Sequence, residues 1–212
     1  MIEKFLNILF PKVCLNCGKQ GEFYLCSSCF LALDLRFRIF PVQNKYYDFL
    51  IYLGKYKDEI RNKLLQFKFY NKAYINEYFL EFLLKDKNIC DFLKSFDLIV
   101  PVPMYKDKKS RRGYNQTELF AKNLGKNLEL SYEENILIKF KENKTQSLLP
   151  QNERTKNVRD VFKIENYFEI KDKKIILIDD IFTTGATIQI CSKLLKKAGA
   201  ASIIALVIAK SH

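Results

Sequence analysis

Two carboxylates stand side by side at Asp179-Asp180, and a small hydroxyl-rich turn, Thr183-Thr184-Gly185-Ala186-Thr187, follows two apolar residues later. Donors in such a turn suit an anion, and glycine lets the backbone approach it closely. The carboxylates would repel a phosphate in direct contact. They fit as acceptors from hydroxyls one sugar's width away. A phosphate plus two hydroxyls describes a ribose 5-phosphate. Without a ligand the same residues are a core strand and a polar turn, but a buried strand rarely needs paired aspartates there.

A second constellation is Cys14-Leu15-Asn16-Cys17 with Cys26-Ser27-Ser28-Cys29. Each C-x-x-C pair can place two thiolates on one metal through a tight knuckle, with Gly18 suited to the turn after the first. Four sulfurs make a closed tetrahedral zinc site, structural and not catalytic. The competing readings are two disulfides, disfavoured without a secretion signal, or uncoordinated thiols. Cys90 and Cys191 stand alone in apolar settings and read as core residues. The one histidine is terminal, so histidine-based catalysis is set aside.

A third stretch interleaves Lys55, Lys57, Arg61, Lys63, Lys68 and Lys72 with Tyr52, Tyr56, Phe67, Phe69, Tyr70 and Tyr74. Cations along a groove with exposed rings hold single-stranded nucleic acid without sequence choice. Taken by itself, the stretch fits better as a solvated helix face with its rings in the core. The formal charge of +12 suits a polyanionic partner. A genomic composition bias would also produce it, since 29 of the 36 basic residues are lysine. Arginine is therefore the more informative cation, and Arg111, Arg112, Arg154 and Arg159 lie near other motif positions.

These groups need elements to hold them. Ile175-Ile176-Leu177-Ile178 runs apolar without alternation, as in a strand covered on both faces of a parallel sheet. Ile188, Cys191, Leu194, Leu195 and Ala198 recur at three and four, and Gly199 is placed to end that helix. The loop between them lies at a strand's carboxyl end and a helix's start, where open α/β sheets bind ligands. Further strands are expected over Phe49–Tyr56, Phe96–Met104, Asn135–Phe140 and Ser202–Ile208. Helices are expected from Glu59 to about Tyr70, capped by Asp58, from Ile75 to Leu84, and from about Thr117 to Leu128. The stretch from Tyr105 to Gln116 reads as a basic loop, and the polar segment from Gln146 to Asp160 as a partial lid.

The class is α/β. At 212 residues the chain suits one main domain and a small second one. Pro41 marks a break, giving an N-terminal segment with the four-cysteine module over 1–45 and the main domain over 46–212. No apolar run reaches the roughly 20 residues needed to span a bilayer. Residues 2–10 read as a short amphipathic helix against the body, in preference to a membrane surface.

The apolar run, Asp-Asp and Thr-Thr-Gly-Ala-Thr together resemble the phosphoribosyl-pyrophosphate loop of type I phosphoribosyltransferases. With Pro101-Val102-Pro103, Arg112-Gly113-Tyr114-Asn115-Gln116, Gly54-Lys55-Tyr56-Lys57, Gln146, Arg154, Asn157 and the cysteines, the chain resembles the ComF family of DNA-uptake competence proteins. The resemblance runs from Phe10 to Ala209. It implies a type I phosphoribosyltransferase-like, mostly parallel sheet with helices on both faces, preceded by a zinc module at Cys14, Cys17, Cys26 and Cys29. Phosphoribosyl pyrophosphate with magnesium would bind at Asp179, Asp180, Thr183, Thr184, Gly185, Ala186 and Thr187. Val102, Pro103 and Met104 would form the pyrophosphate loop, with Lys106, Arg111 and Arg112 as counter-charges. The family's role implies a monomeric cytoplasmic protein at the inner face of the inner membrane. It would bind single-stranded DNA through the cations above with Arg111 and Arg112, meet other DNA-uptake proteins and assist import. The alternative is an active phosphoribosyltransferase with an unidentified acceptor. No nucleobase pocket is identifiable, because the zinc module takes the place of the usual hood.

Overall fold

A computed structural model describes residues 11–141, 161–167 and 169–211. The expected lid over 146–160, with Arg154, Asn157 and Arg159, and the helix over 2–10 lie outside the described residues.

Among the described residues, six strands form the central sheet: β3 (Arg38–Pro41), β4 (Phe49–Lys55), β5 (Leu98–Pro101), β6 (Ser131–Tyr132), β9 (Lys174–Phe182) and β10 (Ser202–Lys210). Their spatial order is β3-β4-β10-β9-β5-β6, parallel throughout except for the β3 edge. The boundary expected at 45/46 therefore falls between two paired strands, because the sheet begins at Arg38. Short antiparallel pairs stand apart: β1 (Lys12–Val13) with β2 (Gln20–Gly21), and β7 (Leu137–Lys139) with β8 (Phe162–Ile164). The strand expected near 135–140 exists but belongs to this separate ribbon.

Side-chain alternation divides the core. Ile176 and Ile178 face one side of β9, while Ile175 and Leu177 face the other. The first side is covered by α2 (Asp58–Phe69), α3 (Ile75–Leu84), α4 (Lys87–Leu93) and α6 (Gln116–Leu128), with the short α1 (Ser27–Leu33) packed against the same cluster. α7 (Ala186–Lys197) and the β7–β8 ribbon cover the second. A sheet buried on both faces explains the unbroken apolar runs of β9 and β10.

Two local expectations change. The basic stretch after β5 contains a helix, α5 (Lys106–Arg112), ended by Gly113 at φ +85°. Asp107 in its first turn and Lys109, Arg111 and Arg112 in its last complement the helix dipole. Asp58 opens α2 as its first residue, following an extended Lys57 whose side chain makes no capping bond.

Candidate functional site

β5 leads through α6 on one face to β6, and β9 leads through α7 on the other face to β10. The chain thus turns in opposite directions from two adjacent strands. Their carboxyl ends open a crevice at a topological switch point, the usual ligand position of such sheets. Asp179 and Asp180 lie here, within β9 and not in the loop after it. Val102 donates its N–H to the Ile178 carbonyl at 2.8 Å, which holds the proline-rich exit of β5 beside them.

Gly185 stands before α7 at φ +74°, and Thr183 and Thr184 are exposed. A Cβ at Gly185 would press into the Phe182 ring. Only glycine suits both this close approach and the left-handed backbone. The Ala186 N–H reaches Thr184 Oγ1 at 3.4 Å, so the first turn of α7 and the threonines form one open rim.

The two aspartates differ in setting. Asp180 Oδ2 is 2.7 Å from Lys68 Nζ, with 19% and 17% of their side chains exposed. Asp179 Oδ1 accepts the Asp180 N–H at 2.8 Å. Burial pushes Asp179 up to about 7, and the charge of Asp180 adds to the shift against the pull of Lys68 and Lys139. A recessed carboxylate beside a charged one is suited to receiving a cation. Lys139, in β7, carried no sequence signal: only tertiary pairing of β7 with β8 brings it to this crevice.

The Arg112–Gln116 motif works as a brace. Thr117 Oγ1 donates to the Val102 carbonyl at 2.7 Å, and Asn115 Nδ2 reaches the same oxygen at 3.3 Å. Tyr114 Oη and Gln116 Nε2 donate to the Phe67 carbonyl at 2.5 and 3.3 Å. The exit of β5 and the end of α2 are thereby fixed to one turn. Arg112 donates to Gln116 Oε1 and lies 5.4 Å from the Phe69 ring centroid. Burial lowers its pKa, opposed by the charge of Asp180. Lys106 and Arg111 sit on the exposed side of α5.

The interleaved stretch separates. Lys63 has 11% of its side chain exposed, donating to the Leu15 carbonyl at 2.8 Å and pairing with Glu59. Lys68 is paired to Asp180. Both were expected to face DNA, but both point into structure. Lys55, Lys57 and Arg61 remain exposed, and Lys72 donates to Gln66 Oε1 at 3.1 Å. Phe67 is buried, Tyr52 stacks on Phe40 and Tyr74 on Tyr24. Phe69 and Tyr70 are 67% and 68% exposed.

At the other end, the Sγ atoms of Cys14, Cys17, Cys26 and Cys29 lie within 4.8 Å of one another. Cys17 and Cys26 are 3.7 Å apart, against about 3.8 Å for two sulfurs on one tetrahedral zinc. Desolvation raises Cys14, but amides of Cys26, Cys17 and Asn16 outweigh it and bring the thiol to about 6. The Cys17 sulfur, with desolvation, pushes Cys29 up to about 12. Four cysteine sulfurs this close could hold one metal ion, and the donor set fits zinc.

The knuckle is held by buried Glu81 of α3, which no sequence pattern exposed. Its carboxylate accepts the N–H groups of Tyr24 and Leu25 at 3.0 and 2.8 Å. Burial raises it to about 7 against these bonds and the pull of Lys85 and Lys12. Lys85 donates to the Leu25 carbonyl at 3.2 Å, and Lys12 pairs with Glu77.

Residues 117–212 match the model of the phosphoribosyl transferase domain. Competence protein F of Haemophilus influenzae is 30% identical over 200 residues, covering 92% of this chain and 82% of that protein. Competence protein ComFC of Bacillus subtilis is 29% identical, covering 94% and 78%. DNA utilization protein YhgH of Escherichia coli is 29% identical over 107 residues, covering 50% and 46%. With 30% identity to Competence protein F over 92% of this chain and 82% of that protein, the chain belongs to the ComF family.

Proposed function

We propose that this chain handles single-stranded DNA during natural transformation, on the cytoplasmic side, assisting its import across the inner membrane. Membership in a family whose relatives are named for competence and DNA utilization supports this role. Exposed Lys55, Lys57, Arg61 and Arg111, with half-buried Arg112 and Lys72, offer phosphate contacts. Zinc at Cys14, Cys17, Cys26 and Cys29 holds the knuckle. The chain acts as a monomer and meets other uptake proteins at the membrane.

The same reading assigns phosphoribosyl pyrophosphate with magnesium to the crevice. The observation that carries it is the recessed Asp179 beside Asp180 at the switch point, facing an open threonine-glycine turn. Thr183 to Thr187 would take the 5-phosphate, the aspartates the ribose hydroxyls or the metal, and Val102 to Met104 the diphosphate. Magnesium, when bound, would supply charge neutralisation on the diphosphate. Arg112, braced by Gln116, is positioned to share that task with Lys106 and Arg111.

The phosphoribosyl transferase domain match favours a second reading, in which a group is transferred. An acceptor nucleophile would bond to the anomeric carbon as its bond to the diphosphate oxygen breaks, and the diphosphate would leave with the electron pair. The protein's part is charge stabilisation, with no covalent enzyme group. Labelled phosphoribosyl pyrophosphate, incubated with magnesium and protein with and without single-stranded DNA, separates the two. Pyrophosphate release supports transfer; binding without release supports DNA handling with a ligand site.

A further inference from the structure

Of the rings in the interleaved stretch, Phe69 and Tyr70 have the largest exposure and lie consecutively at the end of α2. An exposed pair of large rings needs a reason, since burial of each would be favourable. Their surroundings are cationic. From Gln66 to Tyr74 the chain carries Lys72, and Lys68 whose charge is paired with Asp180, and no acidic residue. α5 adds five cations against its own Asp107, of which Lys109 is paired with Glu118, and its Arg112 lies over the Phe69 ring at 5.4 Å. The position is also fixed, because Tyr114 and Gln116 clamp the carbonyl of Phe67, two residues before the rings. Lys68 ties the same turn to Asp180.

We propose that Phe69 and Tyr70 form a shelf on which unpaired bases of a single strand stack, at the edge of the Asp179-Asp180 crevice. This deepens the DNA-handling reading and rests on it. A ring face accepts any base, so the shelf adds affinity without sequence choice. A duplex keeps its base faces covered, so the rings discriminate against it, which the cations alone cannot do. The neighbouring charge complements a polyanion, and Arg112 serves one phosphate while holding Phe69 in place. The shelf brings the strand beside the crevice instead of leaving it on a remote lysine face.

The test compares three labelled probes of equal length at fixed salt: an oligothymidine, an abasic strand with the same phosphates, and a duplex. Wild type should bind oligothymidine about tenfold or more tightly than the abasic strand. The F69A/Y70A variant should lose that difference while its abasic affinity stays unchanged, and F69Y/Y70F should keep it. The unchanged abasic affinity also reports that the alanine variant is folded. The shelf is overturned by a wild type blind to bases, by a preference that survives F69A/Y70A, or by equal affinity for the duplex. Failure of wild type to bind even oligothymidine is a different result, which removes the DNA-handling reading and the shelf with it.

Discussion

The cysteine knuckle and the crevice at the sheet's carboxyl end both gather charged groups, but their charges have different partners. At the knuckle, Glu81 accepts two backbone N–H groups, and Lys63 and Lys85 donate to backbone carbonyls. Charge there closes the fold on itself. At the crevice, Asp179 has a bond from the adjacent amide, Asp180 leans on Lys68, and the threonines stand open. Charge there is positioned and recessed but left available. The difference separates two kinds of recessed charge: those of the knuckle end on backbone groups of distant segments, whereas those of the crevice, tied only to the next amide and to Lys68, are the ones we propose to meet a ligand.

Removing one knuckle ligand should have the largest effect. Cys14→Ser should lose the metal and with it most soluble protein, since structural zinc contributes about 10 kcal/mol or more in small zinc modules. Elemental analysis of folded wild type, purified without added metal, should return one zinc per chain; a value far below that contradicts the assignment. Glu81→Ala comes next. It leaves two amides without acceptors, at about 1–3 kcal/mol for each buried group left unpaired. A drop in the denaturation midpoint, with zinc still bound, is the expected result.

Much of this contrast was legible in the sequence at the level of motifs. Asp-Asp before Thr-Thr-Gly-Ala-Thr, the two C-x-x-C pairs and the unbroken strands announced themselves through spacing and hydrophobicity. What stayed hidden depends on distant pairing. Glu81 sits on an apolar helix at no distinctive spacing, and its role needs the knuckle packed on α3. Lys63 and Lys68 look like their exposed neighbours, because nothing local shows that Leu15 and Asp180 wait for them. α5 read as a loop because its seven residues are polar and carry no apolar stripe.

Acidity offers a subtler test of the crevice. A carboxyl held near 7 in the fold, above its unfolded value, favours the protonated native state. Its contribution is fully present below the unfolded pKa and is lost as pH rises towards 7. Asp179→Asn should therefore raise the thermal midpoint relative to wild type at pH 8, with the gain shrinking towards pH 4. A gain independent of pH would contradict the recessed setting of Asp179. The smallest effect is expected for Gly185→Ala, about 1–2 kcal/mol from the left-handed backbone and the displaced Phe182 ring. Zinc content should not change, while affinity for the crevice ligand should fall.

The central claim is that the crevice is built for a ligand and the knuckle for the fold. Calorimetric titration of phosphoribosyl pyrophosphate with magnesium into wild type and the Asp179→Ala/Asp180→Ala double variant tests it most directly. Saturable binding to wild type, lost in a double variant that keeps its zinc and cooperative unfolding, is the predicted result. Equal affinity in a folded double variant would contradict the account.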